Sequence, residues 1–454
     1  MTPYRAILVV WSVVVLAGAA QAHYQAGVAT QIITPTEPLW MAGYANRTAP
    51  AQAKATELYV KALAFREPNG KVFVLVTSDL LGLTREFSEA VAAEVKRRHN
   101  IPRERIMLTA SHTHCGPVTQ GLLADMYPLD EGQRKAVAVY TARLRQAFIN
   151  TIDSAIAKLK PADLSHGMGQ ARFAVNRRLV NKFNIVTIGV NPEGPTDHRV
   201  PVLRVADAND KTIAIVFGYA CHNTTLSYNR WSGDYAGYAQ AELEARYPNA
   251  VAMFWAGCGG DQNPNPRGNP DLAQRHGKEL ADAVTEVLKA ELKPITRASD
   301  ARYRTIELDY ANQPTEEQLA RDLESDSFAH RTRAKRLLDW LKSGEKLPKS
   351  YPHYPVQMWL LGEGVLWAAL GGEAVIDYAK LLLQDVRGRR VSWATAYAND
   401  VMGYIPSRRI LAEGGYEADS SMIYYGHPGQ WANTIEDRIL SAAQAMMEEL
   451  VPGD

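Results

Sequence analysis

Apolar residues along the 454-residue chain follow two patterns: short runs that predict strands, and longer three- and four-residue spacings that predict helices. Tyr59–Arg66 and residues 72–77 flank a Pro-Asn-Gly turn, so they predict a hairpin. A helix at about 85–98, a buried strand at 106–109 and a long amphipathic helix at 131–159 follow. The chain therefore passes from a hairpin into alternating strands and helices.

The same alternation continues to the end of the chain. The predicted elements are a strand at Thr212–Tyr219, a helix at 235–247, a strand at 251–255, a helix at 271–292, a charged helical hairpin or lid at 314–344, a strand hairpin at 356–361 and Val365–Leu370, a helix at 373–383, a strand at 391–396 and a final helix at 431–450. This order predicts an α/β fold, a layered mixed sheet with flanking helices in a single large domain. Ligands of such sheets bind at the carboxyl ends of strands, where His112, His222 and Asp261 fall.

The N-terminal segment differs from the rest. Arg5, an apolar run at residues 6–19 and the small residues Ala20-Gln21-Ala22 predict a signal peptide over residues 1–22, cleaved near Ala22. Residues 23–454 would then be periplasmic or secreted. A content of 46% hydrophobic and 22% charged residues is typical of a soluble globular protein. The net charge of +1 predicts no nucleic-acid partner, and no obligate protein partner is evident.

Two histidines follow the predicted strand at 106–109. His112 and His114 lie in the sequence Ser-His-Thr-His-Cys-Gly-Pro. In an extended segment both side chains point the same way, so they can act as two metal ligands or as one ligand and one acid-base group. The alternative is a pair of packed polar histidines. Their position after a buried strand favours a functional role.

Three further residues have suggestive contexts. His222 follows the strand at Thr212–Tyr219, Glu373 follows two glycines at a predicted helix start, and Tyr404 lies in Gly-Tyr-Ile-Pro. Each alone has a structural explanation: a core histidine, a first-turn carboxylate favoured by the helix dipole, and one of 21 tyrosines. With His112 they form a set of two imidazoles, a carboxylate and a phenol that zinc accepts. The combination predicts a zinc site.

The cysteines and a glycine-rich turn leave alternatives open. The turn at 257–264 either contacts substrate or is a tight turn in which Asp261 accepts hydrogen bonds from loop amides. No Gly-x-Ser-x-Gly elbow occurs, which argues against a serine hydrolase. Cys115, Cys221 and Cys258 are predicted to pack as small buried residues, with a disulfide as the alternative. A thiol hydrolase using Cys258 or Cys115 with a histidine is a competing hypothesis.

Several of these motifs together resemble the N-terminal catalytic domain of the neutral/alkaline (non-lysosomal) ceramidase family. The motifs are Trp-Met-Ala-Gly-Tyr-Ala-Asn at 40–46, the His112 segment at 111–117, Gly-Asp-Gln-Asn-Pro at 260–264, Gly372-Glu373 and the segment from Tyr404 to Ser420. The resemblance implies zinc ligands and catalytic contacts at matching positions of this chain. The implied zinc ligands are His112, His222, Glu373 and Tyr404. The implied contacts to the reacting carbonyl are His114, Tyr416 and Arg177.

The resemblance also implies an activity. It is zinc-dependent hydrolysis of an N-acyl amide bond, with ceramide or a related lipid amide giving a fatty acid and sphingosine or another amine. The expected partner is the lipid amide itself, with peripheral membrane contact. The alternatives are an amidohydrolase or esterase acting on a non-sphingolipid substrate, and an exported lipid- or glycan-binding protein. Residues 23–454 are expected to form this domain without the family's C-terminal immunoglobulin-like domain.

Overall fold

A computed structural model of the chain describes residues 24–123, 126–362, 364–383 and 392–451. The predicted signal peptide lies outside these residues. The strands are β1 Tyr24–Ile32, β2 Ala53–Lys54, β3 Tyr59–Arg66, β4 Val72–Ser78, β5 Ile106–Ala110, β6 Lys160–Gln170, β7 Ala174–Val180, β8 Val186–Asn191, β9 Arg199–Asp207, β10 Thr212–Tyr219, β11 Arg230–Trp231, β12 Val251–Ala256, β13 Gln262–Pro264, β14 Lys293–Ile295, β15 Asp300–Asp309, β16 Ser350–Leu361, β17 Val365–Leu370, β18 Glu373–Ala374, β19 Trp393–Thr395 and β20 Tyr404–Ile405. The α-helices are α1 Arg85–His99, α2 Glu131–Ala157, α3 Asp234–Arg246, α4 Pro270–Lys289, α5 Glu316–Asp322, α6 Phe328–Lys342, α7 Ile376–Leu382, α8 Arg408–Glu413, α9 Ser421–Tyr424 and α10 Ile435–Leu450.

Two mixed sheets form the centre of the fold. In the larger sheet the strand order is β12-β10-β9-β6-β1-β3-β4-β5, with β14 paired to β6. The pairs β10–β12 and β4–β5 are parallel, and the other pairs of this sheet are antiparallel. The second sheet has the order β15-β16-β17-β19. The predicted α/β fold with a layered mixed sheet is confirmed.

The sheets are covered on both faces, which explains their nearly continuous apolar sequences. On β17, Trp367 and its alternate neighbours belong to the core between the two sheets, while Ala368 and its alternate neighbours belong to the core shared with helices. Phe65 of the large sheet packs edge-on against Trp359 of the second, with ring centroids 6.2 Å apart. The helices α1 to α4 cover the large sheet, and α10 covers the second sheet. A strand buried on both faces reads as an apolar run because neither set of side chains meets water.

One segment joins the two ends of the large sheet. β5 and β12 lie at opposite ends of its strand order. The Ala396 amide donates to the Ala256 carbonyl at the end of β12, and the Asn399 amide donates to the Leu108 carbonyl of β5. Residues 395–399 therefore hold the two ends side by side, and with them the loops that follow β5, β10 and β12.

Two predicted boundaries are wrong for a shared reason. The helix predicted at 373–383 begins only at Ile376, because Glu373 pairs as a strand with Tyr404. The helix predicted at 431–450 begins at Ile435, because Trp431 forms a bridge with Tyr310. In both cases a pairing partner distant in sequence holds the backbone extended. The charged stretch at 314–344 does form two helices, α5 and α6, packed on a small core of their own.

Six long strands lie where the sequence predicted no element: β1, β6, β7, β8, β9 and β15. β6 contains one proline and two glycines, and its pattern of buried and exposed residues is irregular. β7 and β8 form a hairpin whose far end projects with exposed apolar side chains. Among the described residues, we find no helix that is both long and apolar enough to cross a membrane.

Candidate metal centre

Four of the predicted site residues converge on one buried point. Glu373 Oε2 lies 3.0 Å from His112 Nε2 and 3.0 Å from His222 Nε2. The Tyr404 hydroxyl lies 3.0 Å from the same His222 nitrogen. All four side chains are at most 3% exposed. The structure thus brings together the two imidazoles, the carboxylate and the phenol that the sequence suggested as a ligand set.

The two histidines reach this point from the ends of different strands. His112 follows β5 and has a left-handed backbone, with φ of 58°, so the predicted extended geometry at this residue is wrong. The turn nevertheless places His114 Nε2 3.1 Å from His112 Nε2. His222 follows β10, and its amide donates to the Gln262 carbonyl at the start of β13, which follows the turn after β12. The joined ends of the large sheet therefore bring these histidines together.

Glu373 and Tyr404 are adjacent because their strands pair. The two short strands β18 and β20 run parallel, with Glu373 directly opposite Tyr404. The Glu373 amide donates to the Gly403 carbonyl at 2.8 Å. Gly372 precedes it with φ of 67°, a conformation that glycine adopts without a Cβ penalty. This pairing replaces the helix start expected from the sequence.

The hydrogen bonds of the two imidazoles leave one nitrogen of each ring facing the cluster. His112 Nδ1 lies 2.7 Å from the Leu81 carbonyl, and His222 Nδ1 lies 2.7 Å from the Gly259 carbonyl. A carbonyl only accepts, so both Nδ1 atoms carry the proton and both Nε2 atoms present a lone pair. Metal-binding histidines have this arrangement, because the second nitrogen's hydrogen bond fixes the ring and its tautomer.

The charges around the cluster also suit a cation. Burial, and then the nearby Arg177 guanidinium, lower the pKa of His222 to about 4, which keeps its ring neutral. Burial alone would raise the pKa of Glu373, but His112 and His222 hold it well below its ordinary range. The structure therefore presents the neutral His222 imidazole beside an ionised carboxylate.

A tetrahedral metal ion fits the spacing of these donors. Zinc bonds of about 2.0–2.1 Å in a tetrahedron separate neighbouring ligand atoms by roughly 3.3 Å. The observed separations of 3.0 Å are within a few tenths of an ångström of that value. Glu373 Oε2 is buried without a hydrogen bond, although it lies 3.0 Å from two imidazole nitrogens. This carboxylate oxygen therefore lies between two nitrogen lone pairs without a hydrogen-bond donor, and a cation bound by all three atoms would give each of them a partner. His112, His114 and His222 also have nitrogens within 4.8 Å of one another, so His114 lies within reach of the same ion.

Arg177 lies beside the cluster and is held by a buried carboxylate. Its Nη1 is 3.2 Å from His222 Nε2, and its Nε donates to Glu417 Oε1 at 2.8 Å. Its Nη2 is buried without a partner. The guanidinium carbon lies 5.7 Å from the centre of the Tyr416 ring, and that ring lies 5.2 Å from the Tyr404 ring. Arg177 and Tyr416 thus both lie next to the ligand set, and Arg177 has an unused donor.

Tyr416 begins a single π-helical turn at residues 416–420. Gly414 and Gly415 precede it with φ of 73° and 89°, and together they turn the chain back toward the cluster. π-Turns occur often at functional sites. Burial raises the pKa of the Tyr416 phenol, so the hydroxyl stays protonated and can donate a hydrogen bond.

His114 is packed by the segment that precedes the first hairpin. A Cβ at Gly43 would lie 2.4 Å from the His114 ring, so the ring occupies space that only glycine leaves free. Arg47 donates to the His114 carbonyl at 2.6 Å, and the Tyr44 ring lies 4.7 Å from the imidazole. The motif at 40–46 therefore serves to seat this histidine. Burial, followed by the neighbouring imidazoles, lowers the pKa of His114.

Two tyrosines near the cluster were not found from the sequence. The Tyr425 hydroxyl donates to Glu373 Oε1 at 2.5 Å, which fixes the carboxylate's other oxygen. The Tyr397 ring packs against His112 with ring centroids 4.3 Å apart and planes tilted by 32°, and its hydroxyl is buried without a partner. Neither residue lies in a distinctive motif, and the chain has 21 tyrosines. No sequence signal separates these two from the rest.

Two roles were proposed for the glycine-rich turn, contact with substrate or a tight turn held by Asp261, and its hydrogen bonds fit the second. Asp261 is fully buried, accepts from the Ile376 amide at 2.9 Å and accepts from the Asn176 side chain at 2.9 Å. The Arg177 amide donates to the Asp261 carbonyl, and the Gly260 amide donates to the Ala374 carbonyl. The turn therefore connects the strand that carries Arg177 to the segment that carries Glu373.

The cysteines offer no support for a thiol nucleophile. Cys115, Cys221 and Cys258 are free and fully buried, so the alternative of a disulfide is wrong and the packing role is confirmed. Burial raises the pKa of each thiol, which disfavours the thiolate that such a reaction needs.

Comparison with known proteins gives concordant results. The chain is 25% identical over 236 residues to the neutral ceramidase of Pseudomonas aeruginosa, covering 50% of this chain and 34% of that protein. It is 26% identical over 231 residues to the neutral ceramidase of Mycobacterium tuberculosis, covering 45% of this chain and 35% of that protein. The matches thus span about a third of the length of these curated relatives.

Two solved structures share the fold. A ceramidase complexed with C2 superposes with a TM-score of 0.71 and 18% identity, covering 95% of this chain and 76% of that one. The neutral ceramidase of Pseudomonas aeruginosa superposes with a TM-score of 0.70 and 19% identity, with the same coverage. At this identity the likeness concerns the fold. The family profile described as neutral/alkaline non-lysosomal ceramidase, N-terminal, matches residues 24–285, more than half of the chain. The chain therefore belongs to the neutral/alkaline non-lysosomal ceramidase family.

Proposed function

We propose that this protein hydrolyses an N-acyl amide bond with the help of a zinc ion held by His112, His222, Glu373 and Tyr404. The substrate class is ceramide or a related lipid amide, and the products are a fatty acid and an amine such as sphingosine. The observation that carries the proposal is the convergence of the four side chains: Glu373 Oε2 lies 3.0 Å from both imidazoles, and the Tyr404 hydroxyl lies 3.0 Å from that of His222. Family membership and the names of the relatives support the choice of substrate.

A bound zinc ion would supply a Lewis acid that polarises the amide carbonyl and lowers the pKa of water. The residues of the chain supply the remainder of the reaction. Hydrolysis breaks the C–N bond, adds hydroxide to the acyl carbon and transfers a proton to the amine nitrogen. Arg177, with its free Nη2, and the Tyr416 phenol would donate to the carbonyl oxygen as negative charge develops on it. His114 would carry the proton to the leaving amine, since its ring adjoins the cluster without the backbone tether of His112.

Metal removal tests the proposal directly. We expect a chelator to abolish release of fatty acid from an N-acyl sphingosine, and zinc to restore it at about one equivalent per chain. Metal analysis before and after dialysis measures the occupancy, and quantification of the free amine measures the rate. Undiminished hydrolysis by a preparation free of metal would contradict a role for zinc.

Hydrolysis of other amides or esters, but not of N-acyl sphingosine, would favour the non-sphingolipid alternative. Tight lipid binding without turnover at full zinc occupancy would favour the binding protein.

We also propose that the protein is exported, because residues 1–22 have the composition of a cleaved signal peptide. Expressed with its full N-terminus in a Gram-negative bacterium, the mature chain is expected to begin at His23 and to fractionate with the periplasm or the medium. Intact mass and N-terminal sequencing measure the cleavage site. A chain that retains Met1 in the cytoplasmic fraction would rule out export.

A further inference from the structure

The β7–β8 hairpin carries an unusual concentration of exposed apolar side chains. Residues 179–190 read Leu-Val-Asn-Lys-Phe-Asn-Ile-Val-Thr-Ile-Gly-Val. In the described part of the chain, six of the ten exposed large hydrophobic residues lie here. They are Leu179, Val180, Phe183, Ile185, Ile188 and Val190. Phe183, at the tip, is 71% exposed.

We propose that this hairpin docks the protein on a lipid bilayer surface with anionic headgroups. The proposal rests on the proposed function, because a membrane is where a lipid amide substrate resides.

The hairpin is continuous with the candidate metal centre. β7 carries Arg177, whose Nη1 lies 3.2 Å from His222, and its exposed apolar residues begin two positions later, at Leu179. At about 3.4 Å per residue, the tip at Phe183 lies within roughly 20 Å of Arg177 along the strand. An apolar surface that starts beside the reaction centre and ends at an exposed tip suits a substrate drawn from a bilayer.

The base of the hairpin is anchored. Arg178 donates to Glu417 at 2.6 Å and to the Gly414 carbonyl at 2.8 Å, next to the turn that carries Tyr416. The Asn191 side chain donates to the Arg178 carbonyl across the two strands. Contact at the tip would therefore be made by an element fixed to the site.

The tip satisfies its own backbone groups. The Asn181 side chain accepts from the Phe183 and Ile185 amides at 2.9 and 3.1 Å. The Asn181 amide donates to the Ile185 carbonyl, and the Asn184 amide donates to the Asn181 carbonyl. A polar group that enters an apolar layer without a partner is costly, and these amides already have partners. The turn that carries Phe183 can therefore enter an apolar layer without losing hydrogen bonds from these amides to water.

The depth of contact is limited to the interface. Among the described strands, only the three residues of β13 pair with the hairpin, at residues 174–176, and beyond them it is two-stranded with unpaired edges, the turn at Gly415 packing against Val186 of β8. Open edges keep their backbone groups in contact with water, so the hydrocarbon centre is excluded. The exposed apolar residues occur on both strands and at the tip. A second protein surface would cover one face of such a ribbon, whereas a headgroup layer can surround the tip.

The charges nearby are complementary to anionic lipid. Lys182 is the one charged residue among positions 179–190 of the sequence, and its ammonium lies 5.1 Å from the centre of the Phe183 ring. Exposed Arg267 lines a cavity of about 160 Å³ together with Val175, Ile188 and Val190. A cation beside an aromatic tip combines the two attractions that hold peripheral proteins at an interface, apolar burial and headgroup charge.

A paired substitution at the tip tests the proposal on the full, zinc-loaded protein. In the variant F183S/I185S, the fraction bound to phosphatidylglycerol-containing vesicles is expected to fall about tenfold or more. The KM for a long-chain ceramide in those vesicles is expected to rise similarly, while turnover of a soluble short-chain N-acyl amide stays within about twofold of the parent. The matched control I32S/V139S removes two side chains of similar exposure, 54% and 50%, from β1 and α2. It should change neither quantity.

Lipid-only vesicles separate this inference from the proposed reaction. The E373Q variant, which is expected to lose hydrolysis, should bind them as the parent does. Vesicle binding by the parent without hydrolysis of the lipid amide would contradict the proposed reaction and leave the docking surface. Replacing Lys182 by glutamine should reduce the preference for anionic over neutral vesicles about fivefold. Equal vesicle binding by F183S/I185S and the parent overturns the proposal. So does loss of a parental dimer in F183S/I185S on analytical ultracentrifugation, which would assign the surface to a second copy of the chain.

Discussion

Replacing Glu373 by glutamine is expected to lower the hydrolysis rate by about 10³-fold or more, since the metal would be lost and a Lewis acid contributes several kcal/mol. Glutamine keeps the shape of the side chain and removes the charge that faces His112 and His222 at 3.0 Å. The remaining donors would be neutral nitrogens and a protonated phenol, because burial raises the pKa of Tyr404. Such a set holds a divalent ion more weakly than one that includes an ionised carboxylate.

The measurements for this variant extend beyond activity. Zinc at 100 times its dissociation constant should stabilise the parent by about 2.7 kcal/mol, and that increment should vanish in the variant. The variant itself should fold for two reasons. The new amide can donate a hydrogen bond to a neutral imidazole, and the substitution removes a buried charge. Exposed Glu345, after α6, provides the matched control as E345Q. Parental zinc content together with parental activity in E373Q would remove Glu373 from the ligand set.

Replacing Arg177 by methionine is expected to affect both stability and turnover. Arg177 and Glu417 are 4% and 1% exposed and bonded at 2.8 Å, so the substitution leaves a buried carboxylate without one of its two cations. Breaking a buried pair from one side costs about 3–5 kcal/mol of unfolding free energy. The hydrolysis rate should fall about 10²–10³-fold, the usual loss when one donor to a developing oxyanion is removed.

A second substitution separates the two effects. In the double variant R177M/E417Q the buried carboxylate is gone, so part of the stability should return while the activity stays low. The neighbouring Arg178 binds Glu413 and Glu417 and has no described contact with the ligand cluster. R178M should therefore lose stability with a smaller loss of turnover. If chemical denaturation and initial rates show that R177M/E417Q recovers both quantities together, the effect of Arg177 is structural and it does not act on substrate.

Much of the fold was predictable because its strands are locally apolar. β3, β4, β5, β10 and β12 were placed from runs of buried residues, which are apolar because a sheet or helix covers each face. The strands from β6 to β9 were missed, since β6 and β8 have irregular or partly exposed patterns and give no clear period of two. Their pairing with β1 and β10 comes from residues far away in the chain.

The amino-acid sequence alone determined which types of metal donor this protein offers. It also determined that His112 and His222 follow buried strands, because a strand's apolar pattern and the residues after it can be recognised from neighbouring positions in the chain. Tertiary structure decided that these donors meet. Residues 395–399 join the two ends of the large sheet, and Glu373 lies opposite Tyr404 through a strand pairing that overrode a local helix signal. It also decided that the Tyr425 hydroxyl donates to Glu373 and that the apolar side chains of the β7–β8 hairpin are exposed. Contacts between residues dozens to hundreds of positions apart have no periodicity in a single sequence, so only the packed chain fixes them.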